Sequence, residues 1–263
     1  MKLLVQSDDY AITKAVSLGI IEAIKNGILR NTGIFMNMPW SLECAEMIKP
    51  YLDQIALGVD VNISTGSPLL DPKLIPSLCQ DNGKFLTSSM NRALDTTENN
   101  YDHINYEETC REFEAQVEKY IEVFNKKPDY LQNHAFLTPT KDKALSDTAK
   151  KYGIPYTHEI VPKYTKTTYD EGHSTEWYLT PYTLDNQANA KLKDYILSDK
   201  LNLLNKEYGF IICHCGYVDR TLMDLSSFNI FRLNDLDAIT SKEVKDWVKN
   251  NNIELITYKD LKG

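Results

Sequence analysis

The 263-residue chain has no long hydrophobic run, no even-numbered cysteine set, no glycine-rich phosphate fingerprint and no excess of basic residues. Each absence excludes something. Leu3, Leu4 and Val5 are the only consecutive strongly apolar residues near the N-terminus, too few for the core of a signal peptide. No later segment approaches the ~20 apolar residues of a membrane span. The cysteines, Cys44, Cys79, Cys110, Cys213 and Cys215, are odd in number and scattered, unlike a disulfide framework, so a cytoplasmic protein is expected. Lys and Arg total 29 against 37 Asp and Glu, a net charge of −8 that argues against nucleic acid or an anionic membrane as partner. No linker, repeat or low-complexity run divides the chain, which reads as one domain over 1–263. What is present is 42% hydrophobic and 25% charged residues, enough apolar material for a sizeable core.

The apolar residues alternate between strand and helix patterns from end to end. Leu3 to Val5 opens a strand that ends at Ser7-Asp8-Asp9, after which Val16, Ile20, Ala23 and Ile24 recur at helical spacing. Strands follow at Thr32 to Met38, Ala56 to Ile63, Tyr130 to His134, Ile154 to Ile160, Gly209 to Cys213 and Ile253 to Tyr258. Helices are expected over Leu42 to Leu52, Cys110 to Phe124, Lys141 to Tyr152 and Asn189 to Asn205. Thr240-Ser-Lys-Glu243 reads as a capping box opening the last helix. Such alternation implies an α/β fold with a parallel sheet, and seven or eight units in this length favour a TIM-like (β/α) barrel. Two segments exceed ordinary loop length, 64–106 and 161–186. The second carries Tyr164, Tyr169, Trp177, Tyr178 and Tyr182, and both are expected to lie over the site.

In a parallel barrel, functional groups sit at the C-terminal strand ends. Those ends are polar here: Asp8 and Asp9, Asp60 and Asn62, Gln132 to His134, His158, and His214. Strand alternation puts Gly58, Asp60 and Asn62 on one face and Val59, Val61 and Ile63 on the other, so Asp60 points into the mouth. Cys213 and Cys215 flank His214 on the opposite face, a poor chelate, and read as packing residues. Taken alone, His214 reads as a hydrogen-bonded structural histidine and Asp8-Asp9 as a turn pair. Their convergence on one barrel end suggests more. Asp9, Asp60 and His134 make a three-ligand site for a divalent cation, Asp8 a base for water, and His214 an acid for a leaving amine. These are the requirements of metal-assisted amide hydrolysis.

Several motifs resemble those of the YdjC-like carbohydrate deacetylases, the group that includes chitooligosaccharide (chitin disaccharide) deacetylase. Ser7-Asp8-Asp9-Tyr10 is similar to that family's Ala-Asp-Asp-Phe, Leu57-Gly-Val-Asp-Val-Asn62 to its Gly-Val-His-Leu-Asn, and Gln132-Asn133-His134 to its Asp-Ser-His. Cys213-His214-Cys215-Gly216 resembles its Cys-His-Pro-Gly, and Arg232 with Asp235-Leu236 its closing pattern. The resemblance implies a distorted or incomplete barrel that deacetylates N-acetylated sugars with one divalent metal. It implies Asp9, position 60 and His134 as metal ligands, Asp8 as base and His214 as acid. Asn62, Gln132 and Arg232 are the expected sugar contacts.

Three residues depart from the pattern: Asp60 for histidine, Gln132 for an acid, and Cys215 for proline. Asp60 is harder than imidazole and should move preference from zinc toward magnesium or manganese. Gln132 removes a carboxylate that would support a ligand. The expected partner is a small carbohydrate, mono- or oligomeric, with or without a phosphate, and a homodimer is compatible with the sequence. Two other functions fit the same residues: a hydrolase of glycosidic or sugar-phosphate bonds using paired carboxylates, and a sugar-binding relative whose site has decayed.

Overall fold

The computed structural model of the chain describes residues 1–172 and 175–261. Positions 173 and 174 of the aromatic segment, and 262 and 263 of the expected domain, lie outside the described residues. The strands are β1 (Lys2–Tyr10), β2 (Asn31–Ile34), β3 (Ala56–Val61), β4 (Leu131–Asn133), β5 (Tyr208–Cys213) and β6 (Glu254–Ile256). The helices are α1 (Lys14–Asn26), α2 (Ser41–Ile48), α3 (Ser88–Leu94), α4 (Tyr106–Phe124), α5 (Pro139–Tyr152), α6 (Thr157–Thr165) and α7 (Tyr169–Gly172). They continue as α8 (Leu184–Ala188), α9 (Leu192–Leu197), α10 (Arg220–Leu225), α11 (Phe231–Thr240) and α12 (Lys242–Asn250). No described helix is long and apolar enough to cross a membrane.

All strand pairs are parallel, and the sheet runs β4-β3-β2-β1-β5 with β6 also on β1. Every residue of β3 is buried, as expected for a strand covered on both faces. The six strands form a half-barrel, which corrects the expected count of seven or eight. The missing strand is the one expected at Ile154 to Ile160. Only Tyr156 bridges to β4, at Leu131. Ile160, Val161 and Tyr164 then recur at helical spacing and pack on Leu4, Tyr130 and Phe210, so the chain coils into α6 and the sheet stays open.

Other boundaries move for local reasons. The second strand stops at Ile34 because Ser41 takes over the next backbone groups, donating to the Phe35 carbonyl and accepting the Met38 N–H. The helix expected at Asn189 to Asn205 is broken by Asp199 and Asn202 at φ 47° and 51°, left-handed values that end a helix. The last helix is capped by Ser241, one residue after the expected Thr240. The two long segments also contain α3 and α7, so neither is a structureless loop.

β1 changes neighbours midway. Lys2 to Leu4 pair with β6, and Gln6 to Tyr10 with β2, while β5 runs along the other edge. Asn31 closes this seam. Its amide donates to the carbonyls of Val5 and Ile256, and its oxygen accepts the Tyr258 N–H. At the far end, Gly19 of α1 lets the helix touch the chain after His214: a Cβ there would stand 2.5 Å from the Tyr217 backbone nitrogen.

Candidate active site

Because the strands are parallel, the C-terminal ends of β1, β3, β4 and β5 share one rim, and Asp8, Asp9, Asp60, Gln132, His134 and His214 line a cleft there. The cleft has two lobes, of about 310 and 560 Å³, which share Asp9, His134, Ala135, Thr175 and His214. Segment 64–106 contributes Thr65, Ser88 and Arg92 to the larger lobe, and segment 161–186 contributes Tyr178 and Tyr182. Both long segments therefore line the cleft.

Irregular backbone places the key groups. The register of β1 against β2 shifts between Ser7 and Tyr10, and Asp9 has φ 72°, a left-handed conformation that aspartate tolerates better than most residues. The bulge turns the Asp9 N–H away from the ladder, to Asp60 Oδ2 at 2.7 Å. Ala135, next to His134, also has φ 62°. Such outliers persist where the surroundings determine them, often at functional sites.

Three buried carboxylates meet here with different electrostatics. Asp9 is buried, which opposes ionisation, but His134 and the Arg232 guanidinium hold its carboxyl well below the usual range. Arg232 donates to Asp9 Oδ2 at 2.6 Å. Asp8 is pushed up to about 7 by burial and by the Asp9 charge, against the amide hydrogen bonds of Gln6 and Gln132. Asp60 is raised well above its ordinary value by burial, then by Asp8 and Asp9. A buried cluster with a single guanidinium cannot carry three full negative charges without such shifts.

A divalent ion is tested here by the donors. Asp9 Oδ1 and Asp60 Oδ1 are buried without a hydrogen-bond partner. His134 Nδ1 lies 2.9 Å from Asp9 Oδ1, the separation expected of two neighbouring donors each ~2.1 Å from one ion. Asp60 is different: its Oδ2 holds the Asp9 amide, and its Oδ1 stands against Gly33. Among the described residues, no three of His, Cys, Asp or Glu surround a common point. Asp9 Oδ1 and His134 Nδ1 are adjacent donors of a kind that fits a divalent ion, and Asp60, the third expected ligand, braces the Asp9 backbone through Oδ2.

The expected sugar contacts divide. Gln132 lines the smaller lobe, where its amide donates to Tyr169 at 3.0 Å and reaches Asp8 Oδ2 at 3.5 Å. Arg232 lines the larger lobe and is bound to Asp9. Asn62 does not line the cleft. It is fully buried and organises the following turn, accepting the Ser64 and Thr65 N–H groups and donating to Asn37 and the Thr65 carbonyl. A side chain with its oxygen and amide so engaged has little left for a ligand.

His214 is fixed from both sides of its backbone: its N–H donates to Asp235 at 2.9 Å, and the next N–H, of Cys215, to Ser7 Oγ at 2.9 Å. Cys213 and Cys215 are buried, in keeping with a packing role. A family model described as YdjC-like protein matches residues 2–250. The chain belongs to the YdjC-like family.

Relatives of this YdjC-like protein include carbohydrate deacetylase 2 of Listeria innocua, 29% identical over 264 residues and covering 99% of each chain. The carbohydrate deacetylase of Clostridium beijerinckii is 27% identical over 268 residues, covering 99% of this chain and 100% of that one. A solved structure from Enterococcus faecalis, described as a candidate cellobiose-phosphate cleavage protein, superposes with a TM-score of 0.75 at 22% identity over 98% of each chain. A family 4 carbohydrate esterase of Streptomyces lividans shares the fold at a TM-score of 0.50 and 10% identity, over 98% of this chain and 94% of that one.

The sequence assigned no site role to Tyr178, Asp235, Tyr169 or Lys141, all of which touch the machinery. Tyr178 and Tyr169 carried a signal as members of an aromatic-rich segment, and Asp235 as part of a motif. Lys141 carried none, because only folding brings its ammonium to the His134 carbonyl, at 2.8 Å.

Proposed function

We propose that this YdjC-like protein is a metal-dependent hydrolase that removes the acetyl group from an N-acetylated mono- or oligosaccharide, with or without a phosphate. The observation that carries the reading is the convergence of Asp8, Asp9, His134 and His214 on one cleft in a chain whose full-length relatives are named carbohydrate deacetylases. Asp9 and His134 would hold the ion. When bound, a divalent ion supplies Lewis acidity at the acetyl carbonyl. Magnesium is the first choice, with zinc and manganese as alternatives. Asp8 is the base: burial brings its carboxyl up to about 7, close to the proton affinity that suits general-base catalysis at neutral pH. It takes a proton from the attacking water, and Gln6 and Gln132 orient it. His214 delivers a proton to the sugar nitrogen as it leaves. Arg232 keeps Asp9 ionised.

A small carbohydrate is the proposed partner, and the two lobes, which meet at Asp9, His134 and His214, offer room for the acetyl group and the sugar that carries it. Cytoplasmic location is supported by five unpaired cysteines. A homodimer remains a proposal that sedimentation would test.

The deciding experiment incubates the protein with N-acetylated mono- and disaccharides, phosphorylated and not, with chelator and with each metal restored, and measures acetate, free sugar and phosphate. Metal-dependent acetate release is expected. Release of sugar or phosphate without acetate would replace the proposal with glycosidic or sugar-phosphate hydrolysis. Sugar binding with no product would make this a binding relative.

A further inference from the structure

Segment 161–186 does more than line the cleft. The Tyr178 ring sits edge-on to Phe228 and Phe231, at centroid distances of 4.8 and 5.0 Å, and its hydroxyl enters the polar network behind His214. It donates to Asp235 Oδ2, the oxygen that also accepts the His214 backbone N–H. The Tyr178 oxygen lies 3.2 Å from His214 Nδ1.

Donor counting fixes the direction of each bond. A phenol has one proton, and Tyr178 gives it to Asp235. Toward the imidazole its oxygen can then only accept, so Nδ1 must carry hydrogen. The hydrogen bond at one ring nitrogen sets the state of the other.

We propose that Tyr178 is a positioning residue that, anchored by Asp235, holds His214 with hydrogen on Nδ1 and assigns proton delivery to Nε2. The functional part rests on the reading of His214 as the acid. The three groups come from distant parts of the chain, so the acid is oriented only when the aromatic segment is seated against α11 and the end of β5. Burial and the Asp235 charge hold the Tyr178 hydroxyl well above its ordinary pKa, consistent with a phenol that keeps its proton.

The test is nitrogen NMR of protein labelled at histidine, recorded where the imidazole is neutral, with the His214 signal assigned by its loss in His214→Ala. The wild type should show hydrogen on Nδ1. Tyr178→Phe keeps the ring against Phe228 and Phe231 but removes the acceptor. The Nδ1-protonated share should fall, and kcat should drop about tenfold or more, within the range of acid catalysis, while KM for the sugar changes little. Asp235→Ala frees the tyrosine proton to donate to Nδ1, so hydrogen should move to Nε2. A wild-type signal with hydrogen on Nε2, or an unchanged tautomer in both variants, overturns the proposal. Should Asp235→Ala fail to fold, the Tyr178→Phe spectrum decides alone. If the wild type releases no acetate while the tautomer shifts appear, the deacetylase reading fails and the positioning of His214 stands.

Discussion

Asp60 owes its position to a neighbour without a side chain. A Cβ on Gly33 would fall 1.7 Å from Asp60 Oδ1, so Gly33→Ala should displace the carboxylate and cost roughly 1–3 kcal/mol, as overpacking does, read from urea denaturation. Asp60→Asn keeps an acceptor for the Asp9 amide. Calorimetric titration with magnesium, manganese or zinc should then show affinity reduced by less than about tenfold, whereas a loss beyond about a hundredfold would make Asp60 a direct donor. At the proton-moving groups, Asp8→Asn and His214→Ala should each lower kcat by about 10²- to 10⁴-fold with little change in KM. Asp235 yields a pH prediction. Burial raises its folded pKa from 3.8 to about 6, against the hydrogen bonds of Tyr178 and His214. The folded state therefore binds the proton more tightly than the unfolded chain. Stability is highest below the unfolded pKa, falls as pH rises from about 4 to about 6, and stays lowered above, by about 3 kcal/mol in all. Asp235→Asn lacks this term, so denaturation midpoints at a series of pH values should rise relative to wild type between pH 4 and 6 and then run parallel. Parallel midpoints across that interval would reject the assignment.

At the scale of elements, the turns that carry functional groups are clasped by buried polar side chains from the helices beside them. Lys141 of α5 is fully buried and donates to the His134 and Phe136 carbonyls, each at 2.8 Å, with its ammonium 4.3 Å from the Phe136 ring centroid. It ties down the turn in which Ala135 adopts a left-handed conformation. Lys141→Met should leave the buried His134 carbonyl without a partner and the Phe136 carbonyl with only the long bond from Asn133, and destabilise the fold by roughly 1–3 kcal/mol, and metal affinity should fall with it because His134 loses its support. Calorimetry and urea titration on the same preparation check both. Glu112 of α4 plays the same part for segment 64–106, accepting the N–H groups of Leu69 and Leu70 at 3.0 and 3.2 Å. The Glu112 clasp helps to seat segment 64–106, longer than an ordinary loop, at the cleft.

The molecule as a whole depends on the seam where β1 passes from β6 to β2. No ladder can satisfy the backbone groups where one neighbour ends and the next begins, and Asn31 fills that gap with three hydrogen bonds. Asn31→Ala should strand the Ile256 carbonyl and the Tyr258 N–H in the core and leave the Val5 carbonyl with only the Arg30 N–H, with a loss of roughly 2–4 kcal/mol, and hydrogen exchange should quicken first in β6. Uniform protection across the sheet in the variant would show that the seam is not the weak point.

The sequence by itself determined the alternation of strands and helices, the parallel sheet and the polar residues at its C-terminal strand ends. The reason is that hydrophobic period is local, and a parallel sheet sends every such end to one rim. Asp8, Asp9, Gln132, His134 and His214 were therefore legible from position alone. Closure of the barrel was not. Tyr156 reads as strand in its own neighbourhood, and only the apolar surface offered by Leu4, Tyr130 and Phe210 turns the following residues into α6. Nor could periodicity show that Asn62 is consumed by its own turn, that Asp60 faces the Asp9 amide, or that Tyr178 reaches His214 from 36 residues away. Which face a residue occupies follows from spacing along one strand; which partner it meets there is decided by side chains from other elements, which only the packed chain brings within hydrogen-bond reach.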